Sequence, residues 1–267
     1  MRGVFSLLRT TTYQISSPKI PDTFHHFRIA HLSDLHGAVY GKNQKILLDT
    51  IKRAKPNIIV MTGDMADSTA NAIEIALSVC KQLRTCYPIY YIIGNHEQTL
   101  KQTDYQYLLN KLRSIGVILL ENSYCKIIKG NASILLYGLR TPYIYYNDIL
   151  REHQRGIYLS VTMMKKLLGT PPKDKYCILL AHHPLYFPSY HNWGADLTLS
   201  GHMHGGIIRL PKLRGLFSPD LSFFPKYDWG HFEEEGKHMI ISSGLGNHFL
   251  VRIMNPPEVV IVDLIQE

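Results

Sequence analysis

A chain of 267 residues, 45% hydrophobic and 19% charged, is long enough to bury a substantial core and has the make-up of a globular protein rather than a disordered or low-complexity one. No stretch approaches the roughly 18 consecutive apolar residues that a membrane-crossing helix needs. A formal charge of +8 and a sequence pI near 9.2 favour anionic partners without choosing among phosphorylated small molecules, nucleic acid and an acidic membrane surface.

Taken in chain order, the amino terminus carries Arg2 ahead of the short apolar run Val4-Phe5-Ser6-Leu7-Leu8, which Arg9 and three threonines end at once. That run is too short for a signal peptide or a span, so residues 1–24 read as an amino-terminal extension, with peripheral membrane contact at 1–10 left open. Cys80, Cys86, Cys125 and Cys177 form no CxxC pair and fit a reducing compartment; the protein is expected to be soluble and cytoplasmic.

Residues 27–32 predict a strand, followed by a polar loop and a helix over about 44–54. Residues 57–61 and 88–93 predict two more strands, followed by helices over about 70–85 and 105–115. Short apolar runs separated by helices indicate parallel strands covered on both faces. The middle changes character. Residues 116–120, 124–128 and 132–139 read as closely spaced, antiparallel strands with a turn at Lys129-Gly130-Asn131. A tyrosine-rich loop (142–147) and a helix around 160–168 lead to strands at 176–181, 196–200, 239–243 and 259–264. Residues 209–237, rich in Pro, Gly and aromatics, predict a long irregular loop on the substrate side. With no linker or repeat, 1–267 reads as a single domain.

Seven candidate metal ligands follow five of these strands: Asp34 and His36 in Asp34-Leu35-His36, Asp64 in Gly63-Asp64, Asn95 in Gly94-Asn95-His96-Glu97, His182 in His182-His183-Pro184, and His202 and His204 in Gly201-His202-Met203-His204. In α/β sheets ligands bind beyond the carboxyl ends of strands, so these loops can converge on one crevice. Hard oxygen donors mixed with imidazoles suit a pair of divalent cations. Asp34/His36 and His202/His204 are spaced i, i+2, which in extended backbone sends both side chains the same way. Any one of these residues alone reads equally well as a cap or turn residue.

Together, Asp34-Leu35-His36-Gly37, Gly63-Asp64-Met65-Ala66-Asp67, Gly94-Asn95-His96-Glu97, His182-His183-Pro184 and Gly201-His202-Met203-His204-Gly205-Gly206 resemble the five signature blocks of the calcineurin-like metallophosphoesterases, in the family's order. Ile208-Arg209-Leu210-Pro211, Ser243-Gly244-Leu245-Gly246 and Asn255-Pro256-Pro257-Glu258 are similar to a bacterial branch with UDP-2,3-diacylglucosamine pyrophosphohydrolases and broader phosphodiesterases. The resemblance implies an α/β, four-layer αββα sandwich with two mixed sheets flanked by helices. It implies two divalent metal ions (Mn, Fe, Zn, Co or Ni, with Mn favoured). Asp34, His36 and His204 would hold one and Asn95, His182 and His202 the other, with Asp64 bridging. It also implies that His96 faces the leaving group and that Asp67 orients it.

Two dications against two carboxylates leave excess positive charge to activate a bridging hydroxide for in-line attack on a phosphate. The expected reaction is hydrolysis of a phosphodiester or pyrophosphate bond in a small phosphorylated molecule. A nuclease and a catalytically silent binding scaffold are the alternatives. Arg209 and His191 are candidate substrate contacts, against salt-bridge and packing roles respectively, and His183 reads as a packing neighbour of the site.

Overall fold

The computed structural model describes residues 8–146, 158–206, 226–246 and 254–267. One six-stranded sheet contains β1 (Arg9–Ser17), β2 (Phe27–Leu32), β3 (Ile58–Met61), β4 (Ile89–Tyr91), β5 (Ile118–Leu119) and β12 (Glu258–Gln266), in the order β1-β12-β2-β3-β4-β5. The other contains β6 (Ser123–Lys129), β7 (Ala132–Leu139), β8 (Cys177–Ala181), β9 (Leu197–Ser200), β10 (Gly230–Glu234) and β11 (Lys237–Ile241), in the order β10-β11-β9-β8-β7-β6. Strands β2 to β5 run parallel, as do β7, β8, β9 and β11. Both sheets are mixed, because β12 runs antiparallel to β2 and the edges β6 and β10 run antiparallel to their neighbours.

The period-2 alternation of each strand builds the layers. From β2, β3 and β12, the side chains of Ile29, Ile58, Val60, Val260 and Val262 meet Ile134, Leu136, Ile178, Leu180, Leu197 and Leu199 of the second sheet in one core. The alternate residues Ala30, Leu32, Ile59, Met61 and Ile261 face outward, against α1 (Lys45–Ala54), α2 (Ala72–Arg84) and α4 (Gln102–Ile115). On the far side, Leu135, Tyr137, Cys177 and Leu179 pack under α5 (Val161–Leu168) and α6 (Phe187–Trp193). The result is the four-layer αββα arrangement. A one-turn helix, α3 (Asn95–Gln98), follows β4 directly. Among the described residues no helix is long and apolar enough to cross a membrane.

Two readings of the chain are corrected here. The stretch taken as an amino-terminal extension contains β1, which pairs in parallel with β12 from Arg9↔Glu258 to Ser17↔Gln266. Its alternation is masked in the sequence because an edge strand buries little; of its residues only Ile15 is fully buried. Residues 1–7 lie outside the described residues. The stretch 209–237 is not irregular throughout. Its end forms β10, joined to β11 by Glu235 and Gly236, both with positive φ (53° and 68°) as a two-residue hairpin turn requires. Glutamate is not a usual first residue of such a turn, so the signal was weak. The remainder of that stretch to residue 225 lies outside the described residues.

Candidate metal centre

The carboxyl ends of β2, β3 and β4 in one sheet and of β8 and β9 in the other open onto the same edge of the sandwich. The loops that leave them carry all seven candidate ligands, and the structure brings them together. His182 Nε2 lies 3.0 Å from Asp64 Oδ2 and 3.9 Å from Asp34 Oδ1. His36 Nε2 lies 3.9 Å from Asp64 Oδ2, and His204 Nε2 lies 3.6 Å from Asp34 Oδ1. Three overlapping groups emerge, Asp34–His36–His204, Asp64–His182–His202 and His36–Asp64–His96, each with its ligand atoms within 4.8 Å of one another. Asp64 Oδ2 reaches toward imidazoles of the first two groups, and Asn95 opens α3 directly beside it, where the His96 N–H donates to Asp64 Oδ1 at 2.8 Å.

The local backbone is not the extended one expected from the i, i+2 spacing. Asp34 (φ 53°), His36 (φ 46°), His202 (φ 71°) and His204 (φ 51°) all lie in the left-handed region, as does Asp64 (φ 53°). Tight left-handed turns, rather than strand pleat, aim these side chains inward. Asp and His tolerate that region better than most residues, and each such residue costs roughly 1–3 kcal/mol that surrounding bonds must offset. Glu97 supplies many of those bonds. Its buried carboxylate accepts from the N–H groups of Asp64 (2.8 Å), Met65 (2.8 Å), Ala66 (3.1 Å) and Gly94 (3.0 Å), and from Tyr91 Oη (2.6 Å). Glu97 therefore pins the β3 loop to the β4 loop. Its place at the third position of the helix after Gly94 lets it reach back to the Gly94 N–H, the glutamate half of a capping box, which could have marked it in the sequence.

Tautomers follow from the partners of the other ring nitrogens. Asp67 Oδ2 lies 3.1 Å from His36 Nδ1, and the Thr62 carbonyl lies 2.6 Å from His182 Nδ1. Both partners can only accept, so each Nδ1 carries a proton, which leaves Nε2 as the ring atom that would ligate a cation. Asp67, expected to orient His96, steadies the imidazole of His36. Asp67 also accepts from the Thr69 N–H at 2.8 Å. Burial would push the Asp67 carboxyl up, but these bonds hold it well below the usual carboxylate range.

The donor set fits a cation pair. Asn95 Oδ1 is buried and makes no hydrogen bond, which is costly for a polar atom that nothing else engages. Burial raises the Asp34 carboxyl against the pull of His182. Burial also works on Asp64, but the imidazoles of His182, His36 and His96 hold it well below the usual range. Burial works against His182, yet Asp64 and Asp34 hold its imidazole up at about 9, while burial and the neighbouring His182 push His202 down to about 3. The carboxylates thus draw on protonated imidazole for charge that bound cations would supply instead.

His96 stands at the rim. Its side chain is 26% exposed and its Nε2 lies 4.0 Å from Asp64 Oδ2, with the ring edge-on to His36 at 4.8 Å. His183 is buried and packs on His202 (ring centroids 4.5 Å), its Nδ1 accepting from the Leu185 N–H. Tyr146 went unremarked in the sequence, yet its ring lies 5.3 to 5.9 Å from those of His182, His183 and His202, walling that side of the centre. His191 does not join the centre. It lies on α6 against Phe187, with Nε2 3.6 Å from Glu234 Oε2, so its side chain serves packing on the outer face of the second sheet. Arg209 lies outside the described residues.

Residues 27–206 match the family model described as calcineurin-like phosphoesterase. The chain is 29% identical over 234 residues to an uncharacterized metallophosphoesterase of Bacillus subtilis, YkoQ, covering 86% of this chain and 81% of that one. It is 24% identical over 302 residues to the UDP-2,3-diacylglucosamine pyrophosphatase LpxG of Chlamydia trachomatis, covering 98% and 91%. It is 25% identical over 244 residues to the phosphodiesterase YaeI of Escherichia coli, covering 90% and 82%.

Proposed function

Because the chain belongs to the calcineurin-like phosphoesterase family and is a hydrolase of phosphoric ester bonds, we propose that its centre holds two divalent cations and cleaves a phosphodiester or pyrophosphate bond in a small phosphorylated molecule. The observation that supports this reading is the convergence of the His182, His36 and His204 imidazoles on the buried Asp34 and Asp64, beside the buried, unbonded Asn95 Oδ1. Asp34, His36 and His204 would hold one cation and Asn95, His182 and His202 the other, with Asp64 placed to serve both. Each position would offer two imidazoles and two oxygens, a mixed set that suits Mn, Fe, Zn, Co or Ni, of which manganese is the favoured occupant. When bound, the cation pair acidifies water and neutralises charge on the phosphoryl oxygens.

The protein's own groups do the remainder. Asp67 and the Thr62 carbonyl hold His36 and His182 in the ligating tautomer. Tyr146 excludes water from one flank. His96, fixed at the rim through its backbone bond to Asp64, donates a proton to the departing oxygen. LpxG acts on a pyrophosphate and YaeI on a phosphodiester, and both names support a bond flanked by two substituents rather than a simple monoester. The test is hydrolysis of bis-p-nitrophenyl phosphate by manganese-reconstituted protein. His96→Ala should lower turnover by about 10²-fold or more while the metal content holds. A His96→Ala protein that loses its metals instead would overturn the role given to His96.

A further inference from the structure

We infer that the β10–β11 hairpin carries a separate binding site for one divalent transition cation, formed by His231, Glu233 and His238. The register places Glu233 directly opposite His238, and His231 lies two residues from Glu233, so all three side chains share one face of the hairpin. Their ligand atoms lie within 4.8 Å of one another. His231 Nε2 and His238 Nδ1 are 3.0 Å apart, and His238 Nδ1 and Glu233 Oε2 are 3.8 Å apart. Two ligands held tetrahedrally at 2.0–2.1 Å from zinc are separated by about 3.3 Å, so small rotamer shifts suffice to close the site on an ion.

The site is distinct from the centre described above. His238 pairs with Leu197 at the amino end of β9, whereas the centre lies beyond Ser200 at the other end. The Tyr13 ring, 6.2 Å from that of His231, borders the site from β1. The neighbouring Lys237 is held by Asp196 at 2.5 Å. Two imidazoles and a carboxylate suit zinc, with one tetrahedral place left for water. The ion would fasten β10, whose Glu234 holds both Tyr227 and His191, to the rest of the sheet.

The test uses metal-depleted, full-length protein dialysed against zinc. The double variant His231→Gln/His238→Gln should bind one equivalent of zinc fewer than wild type, with unchanged manganese-supported hydrolysis of bis-p-nitrophenyl phosphate. Zinc should also slow backbone hydrogen exchange across residues 230–241 in wild type and not in the variant. Equal zinc stoichiometry in the two proteins, or zinc-independent exchange in that segment, overturns the site. Metal lost only on Asp64→Asn reports on the phosphoesterase centre, so failure of one assignment cannot be mistaken for failure of the other.

Discussion

Replacing Gly94 with alanine places a methyl group where the β3 and β4 loops meet. Gly94 has ordinary extended backbone (φ −88°, ψ −172°), so alanine meets no conformational penalty there and the effect is purely one of space. The new Cβ would overlap Asp64 Oδ1 and stand 2.6 Å from the Asp64 backbone nitrogen. Normal contact requires the two loops to part by roughly 0.8 Å. They cannot part freely, because Glu97 bonds to the N–H groups of both residues, at 2.8 and 3.0 Å. Overpacking of this kind costs about 1–3 kcal/mol in stability. A displacement near 1 Å of Asp64, the residue proposed to serve both cations, should lower kcat/KM by about 10²-fold. Gly169 is the control: its φ is +75° and nothing lies within 4 Å of its would-be Cβ. Gly169→Ala should lose roughly 1–2 kcal/mol to backbone strain and keep full activity. Urea unfolding and bis-p-nitrophenyl phosphate kinetics on both variants separate lost stability from a displaced site. Gly94→Ala protein with kcat/KM within about threefold of wild type would refute the reasoning.

Other outcomes follow from the same geometry. Asp67→Asn should weaken the binding of one cation by about 10–100-fold, measured by metal titration, because His36 loses its carboxylate partner; unchanged affinity with reduced turnover would instead favour the pairing with His96. Asp64→Asn should lower occupancy of both cation positions together, and metal analysis that finds the wild-type stoichiometry would count against a shared ligand. Glu258 is buried and accepts from Arg9 (2.6 Å), Thr11 (2.8 Å), Ser243 (2.8 Å) and Trp229 (2.7 Å); burial alone would raise its carboxyl, but these partners hold it below the usual range. A carboxyl depressed in the folded state adds stability that is complete above the unfolded pKa, about 4.3, and disappears as pH falls through the folded value. Glu258→Gln should therefore lose about 1.5–3 kcal/mol at pH 7 in urea unfolding, with the gap to wild type closing below pH 4; a gap that stays constant to pH 2 would show that ionisation of Glu258 plays no part.

The identities and order of Asp34, His36, Asp64, Asn95, His182, His202 and His204 were legible because each follows an apolar strand, and strand, helix and turn are written in local patterns of a few residues. Parallel strands covered by helices were legible for the same reason, whereas the division into two mixed sheets was implied only by the family resemblance. Which imidazole Asp67 would hold was not, since Asp67 lies 31 residues from His36 and 29 from His96 and nothing local distinguishes the two. Nor was the edge strand β1, whose partner Glu258 lies 249 residues away from Arg9 and whose own residues bury too little to show a pattern. The left-handed turns at the ligands, the five bonds to Glu97 and the packing of His191 against Glu234 likewise depend on segments meeting in space. Residue chemistry and short-range periodicity belong to the chain itself. Hydrogen-bond partners and exclusion from water arise only when distant segments are packed together, so the tertiary structure decided them.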